Sequence, residues 1–83
     1  MVAETVDSDP HFEKLFSKLD PNQKEEVKTR IRKIIANPEI GKPMRYGRKG
    51  TREVYAKSFR LSYAYIQEEN KIIFLDLYHK DKQ

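Results

Sequence analysis

An aspartate followed by a proline occurs twice early in the chain, at Asp9-Pro10 and Asp20-Pro21, and each pair is a helix-start signal. The aspartate side chain accepts a hydrogen bond from an orphan amide of the first turn, and proline suits the first helical position because its missing N–H has no partner there. Beyond the first pair, Phe12, Leu15, Phe16 and Leu19 recur at helical spacing. Beyond the second, Val27, Ile31, Ile34 and Ile35 do the same, with Gln23 at the capping-box position. So little chain separates the two helices that they must fold back as a hairpin, with both apolar stripes available to cover one face of a sheet.

That sheet has to come from the rest of the chain. Asn37-Pro38 ends the second helix, and Pro38, Gly41, Pro43, Gly47 and Gly50 keep the next dozen or so residues out of regular structure. From Thr51 the pattern becomes strand-like, with strands near Arg52–Lys57, Phe59–Gln67 and Lys71–Tyr78 joined by turns at Ala56-Lys57-Ser58 and Glu68-Glu69-Asn70. The last strand is apolar on both faces apart from Asp76, which suits a central position. Residues 2–6 add a short edge strand. The expectation is one α+β domain over residues 1–83, a helical hairpin packed on a small antiparallel sheet in the order (β)ααβββ.

A chain of 83 residues buries only roughly 60–65% of the surface it exposes when unfolded, so the core is modest. It has no cysteine, and its two histidines, His11 and His79, lie far apart; disulfides, metal sites and cofactors are not expected. The apolar run near Ile72–Leu77 is far shorter than the ~20 residues of a membrane span. The acidic N-terminus is unlike a secretory signal, so the sequence points to a cytoplasmic protein without a membrane partner.

Charge is unevenly spread. Residues 1–20 carry Glu4, Asp7, Asp9, Glu13 and Asp20 against Lys14 and Lys18, whereas residues 42–60 carry Lys42, Arg45, Arg48, Lys49, Arg52, Lys57 and Arg60 against Glu53 alone. A basic segment without compensating acids attracts polyanions, chiefly nucleic acid, although a solvated loop has the same composition. Antiparallel pairing of the last two strands through the turn at Gln67–Lys71 also brings Arg60 to the same sheet edge as His79 and Lys80. That edge is a candidate anion site.

Four of these pieces, in this order, resemble the RelE/ParE superfamily of toxins from toxin–antitoxin systems. They are the helical hairpin, the Asn37-Pro38-Glu39-Ile40-Gly41-Lys42-Pro43 connection, the aromatic-Arg-aliphatic-x-Tyr pattern at Phe59–Tyr63, and the closing Tyr78-His79-Lys80. The resemblance covers roughly residues 9 to 82. It implies a RelE-like fold, a cognate antitoxin as partner, and one of two activities. RelE-type members are metal-independent endoribonucleases that cut mRNA, usually on the ribosome, and so inhibit translation; ParE-type members inhibit DNA gyrase. An inactive member that only binds antitoxin and nucleic acid is a further alternative.

For the ribonuclease reading, the resemblance makes Arg60 the phosphate-binding arginine, His79 the acid/base histidine of YoeB-like members, and Lys80 a second cation at the end of the last strand. The chemistry suits these types: a guanidinium grips phosphoryl oxygens bidentately, and an imidazole exchanges protons near neutrality. Lys42, Arg45, Arg48, Lys49, Arg52 and Lys57 are the candidate RNA contacts. A structural alternative pairs Arg60 with Glu53 or Asp76. The general base stays open, because Met44 stands where YoeB-like members carry a carboxylate; Glu53 is a candidate. No tyrosine follows the last strand before Gln83, where several relatives stack one on a base, and Tyr46, Tyr55 and Tyr78 are the alternatives for that task.

Overall fold

The computed structural model describes residues 2–43 and 50–80. Both helix-start signals operate as the sequence predicts. Helix α1 (Pro10–Ser17) is capped by Asp9, whose carboxylate accepts from the His11 amide at 2.9 Å. Helix α2 (Pro21–Ala36) opens on a full capping box, the Gln23 amide donating to Asp20 at 2.8 Å and the Asp20 amide donating to the Gln23 side chain at 3.1 Å. Among the described residues no helix is long and apolar enough to cross a membrane.

Five strands follow the order β1-β5-β4-β3-β2 across one sheet: β1 (Thr5–Ser8), β2 (Lys42–Pro43), β3 (Thr51–Tyr55), β4 (Phe59–Ile66) and β5 (Lys71–His79). The sheet is mixed where an antiparallel one is expected, because β1 runs parallel to β5. The reason is the hairpin, which carries the chain from β1 over the sheet before the other strands form. The first strand also starts later than residues 2–6. Ala3 donates instead to the Ile35 carbonyl at the end of α2, and the Asn70 side chain holds the Val2 carbonyl at 2.8 Å.

The short β2 is a second departure, since the segment after Pro38 reads as loop. Tyr63 forms it: its buried hydroxyl donates to the Pro38 carbonyl at 2.7 Å and accepts from the Gly41 amide at 3.0 Å. Gly41 is required there, because a Cβ would sit 2.6 Å from the Tyr63 hydroxyl and 2.9 Å from the Arg52 Cβ.

Strand alternation sorts the sheet into two faces. Val54, Phe59, Leu61, Tyr63, Ile72, Phe74 and Leu77 pack with Phe12, Val27 and Ile34 of the helices into one core, where Phe12 lies 5.4 Å from Phe74. Both helices lie on that side. The opposite face, without a helical cover, carries the alternate residues of β3, β4 and β5.

Candidate functional site on the open face of the sheet

Register sets the open face in rows. Tyr55, Arg60 and Tyr78 lie side by side across β3, β4 and β5, and the next row holds Lys42, Glu53, Ser62 and Asp76 across four strands. Arg60 lays its guanidinium over the Tyr55 ring at 4.6 Å. Tyr78 donates its hydroxyl diagonally to the Glu53 carboxylate at 2.6 Å. Between these two, β4 offers only the small Ser62, which is buried; a larger side chain would obstruct their contact. Burial raises the pKa of Tyr78, its hydrogen bond to Glu53 raises it further, and a hydrogen bond with Arg60 opposes both. The phenol therefore stays protonated through the neutral range.

The outcome for the expected residues is mixed. Arg60 sits in the middle of this constellation. Its partners are Tyr55 and Tyr78, where the structural alternative pairs it with Glu53 or Asp76. His79 lies at the same end of the sheet but on the other face: it pairs with Phe59, and its ring meets the buried Phe59 ring edge-on, with centroids 5.3 Å apart. The register thus separates His79 from Arg60, where a shared site requires them together. Lys80 follows β5 directly, its amide bonded to the Ser58 carbonyl at 3.0 Å, and strand alternation returns position 80 to the side of Arg60.

The candidate RNA contacts also divide. Lys42 is exposed on β2 opposite Glu53. Arg52 has a structural task in place of the RNA contact expected of it: it donates to the carbonyls of Glu39 and Gly41 at 3.1 and 2.8 Å, clipping the turn that leads into β2. Lys57 is exposed in the β3–β4 turn and shares a shallow depression with Glu25 and Glu26 of α2, so acids compensate it. Arg45, Arg48 and Lys49, and with them Tyr46, lie outside the described residues.

Tyr78 and Glu53 as a pair escaped sequence reasoning, because diagonal contacts depend on register. So did His11, whose Nε2 lies 3.1 Å from Asp76 Oδ1. The lone acid in an apolar strand was the only signal available for that contact.

The comparisons agree with this architecture. The family model described as the ParE-like toxin of type II bacterial toxin–antitoxin systems matches residues 6–81. Among solved structures, the chain is similar to one in the RelBE2 toxin–antitoxin complex of Mycobacterium tuberculosis, with TM-score 0.84 and 25% identity, covering 95% of this chain and 100% of that one. It is similar to one in the intact Escherichia coli RelBE complex, with TM-score 0.79 and 21% identity over 90% and 94% of the two chains. The archaeal RelE–RelB complex of Pyrococcus horikoshii gives TM-score 0.71 and 13% identity over 99% and 100%. No curated protein sequence matches. Two helices covering one face of a five-stranded mixed sheet are the architecture of RelE toxins. The chain belongs to the ParE-like family and is the toxin of a type II toxin–antitoxin system.

Proposed function

We propose that this toxin inhibits translation as a metal-independent endoribonuclease that cuts mRNA on the ribosome. The observation that carries this reading is the contact of Arg60, Tyr78 and Glu53 on the uncovered face of the sheet. Cleavage of this kind forms a bond from the 2′-oxygen to phosphorus and breaks the bond to the 5′-oxygen, leaving a 2′,3′-cyclic phosphate and a 5′-hydroxyl. It needs a proton acceptor, a cation for the doubly charged transition state, and a proton donor for the leaving oxygen. Glu53 takes the 2′-hydroxyl proton on its carboxylate. Arg60, with Lys80 as a second cation, stabilises the phosphorane. Tyr78, kept protonated by burial and by Glu53, supplies the proton to the 5′-oxygen. His79 serves by packing on Phe59 rather than by proton transfer.

The test is to add the protein to translating ribosomes and map new RNA 5′-ends. Cuts within A-site codons support the ribonuclease. The second reading is inhibition of DNA gyrase, favoured by the position of His79 away from Arg60; gyrase-dependent DNA breaks without RNA cuts would establish it instead.

The partner follows from the opposite side of the molecule. An apolar depression of about 460 Å³ between β1, α1 and α2 is lined by Val6, Phe12, Phe16, Ile31 and Phe74. The similar RelE chains are found in complexes with RelB antitoxins. A cognate antitoxin segment covering this depression completes the reading, and binding no tighter than that of an unrelated acidic peptide would remove it.

A further inference from the structure

Two large apolar side chains stand in solvent at one corner of the sheet. Tyr55 is 58% exposed and Ile40 46% exposed. They border one hollow of about 360 Å³, lined also by Arg30, Lys42, Glu53 and Val54. The hollow exists because β2 is so short: it pairs only with Arg52 and Glu53, so the edge of β3 at Val54 and Tyr55 has no strand beside it. Among the described residues neither Arg30 nor Lys42 enters a salt bridge. Glu53, the one acid lining the hollow, is engaged by the Tyr78 hydroxyl.

An aromatic plane, an aliphatic wall and cations on the rim match an unpaired nucleotide. A base in a duplex has both faces covered by its neighbours, so only single-stranded nucleic acid offers a face to a tyrosine ring. Arg60 already lies over Tyr55, which places a phosphate on Arg60 and a base on Tyr55 within the span of adjoining nucleotides. We propose that this hollow binds one base of single-stranded RNA, stacked on Tyr55 and backed by Ile40, with Lys42 and Arg30 on the adjoining phosphates. The choice of RNA rests on the ribonuclease reading above. Stacking of this kind tolerates any base and favours purines through their larger face.

The probe is a 2′-O-methyl oligoribonucleotide, which lacks the attacking hydroxyl and cannot be cut, together with an oligomer of equal length without bases. Binding of both to the full-length toxin is measured by fluorescence anisotropy. Tyr55→Ala weakens binding of the base-bearing oligomer by about five- to hundredfold, Tyr55→Phe retains it, and Ile40→Ser, which leaves the contact of Arg60 with Tyr55 in place, weakens it less. The base-free oligomer binds the wild type and Tyr55→Ala equally. Equal affinity of wild type and Tyr55→Ala for the base-bearing oligomer overturns the proposal, as does a Tyr55→Ala defect confined to an acidic peptide. Cleavage on ribosomes with no dependence of binding on Tyr55 rejects the subsite and keeps the ribonuclease. Tyr55-dependent binding without cleavage does the reverse.

Discussion

Arg60 and His79 lie one rung apart on paired strands and face opposite sides of the sheet. Arg60 pairs with Tyr78 and His79 with Phe59, so the guanidinium stays on the open face while the imidazole rests against the core. Arg60→Ala is therefore expected to slow ribosomal cleavage by roughly 10²–10³ through loss of an electrostatic stabiliser. His79→Gln leaves the rate near wild type and lowers stability by about 0.5–1.5 kcal/mol through loss of the aromatic contact. Single-turnover cleavage with thermal melts checks both. A His79→Gln protein that folds normally but has lost the ~10²–10⁴ of a general acid would return histidine to the mechanism.

Glu53 and Tyr78 act as a hydrogen-bonded unit, and their variants should show it. Glu53→Gln and Tyr78→Phe are each expected to cost ~10²–10⁴ in cleavage rate, and the double variant little more than the worse single one. Strictly multiplicative losses would mean that the two residues do not serve one transition state.

Alkaline pH should weaken the fold through Tyr63 and Tyr78. Burial is the leading cause that raises both pKa values above the ordinary 10.0, so the native state holds these protons more tightly than the unfolded chain. Stability from this source is fully present below the unfolded pKa and falls as pH rises through the native values. Chemical denaturation across that range should show the decline, less steeply in Tyr78→Phe. An unchanged slope in that variant would mean that Tyr78 contributes nothing to it.

How much could be read in advance depended on whether the cause was local. Asp9, Asp20 and Gln23 act within one helical turn, and the helices appear where these residues put them. The shared edge of Arg60 and His79 was legible too, because the turn at Asn70 sets which strand ends meet. Their faces were not. Pairing shifts by one residue at Leu75, so that Ser62 meets Asp76 while Tyr63 meets Phe74. Continued without that shift, the register at Ile66 and Lys71 would carry His79 to the side of Arg60. A single bulged residue reverses every later side chain, and nothing in the composition near Leu75 announces it. The parallel pairing of β1 with β5 was hidden for a related reason, since it joins residues from opposite ends of the chain.

Arg52 and the pair Arg48 and Lys49 should separate in a salt titration. The part of Arg48 and Lys49 in binding is read from charge alone, and each phosphate contact removed by a glutamine flattens the log–log salt dependence by about 0.7 for single-stranded RNA. Arg52→Gln should instead lower stability and leave the slope unchanged, because its guanidinium holds the carbonyls of Glu39 and Gly41. If Arg52→Gln alone flattened the slope, its structural task would be secondary.

The turn into β2 can be tested through Gly41 and Tyr63. A methyl group at Gly41 would meet the Tyr63 hydroxyl at 2.6 Å, and both the Tyr63 ring and the Arg52 Cβ at 2.9 Å. Gly41→Ala is thus an overpacking change, costing about 1–3 kcal/mol. Tyr63→Phe deletes the hydroxyl that joins Gly41 to Pro38 and leaves buried backbone groups unpaired, at about 1–3 kcal/mol. The two are not independent. Removing the hydroxyl relieves the closest contact of the new methyl while the ring and Arg52 still press on it, so the double variant should lose less than the sum of the singles but more than Tyr63→Phe alone. Urea denaturation of the four proteins measures this coupling, and simple additivity would show that the methyl finds room without displacing Tyr63.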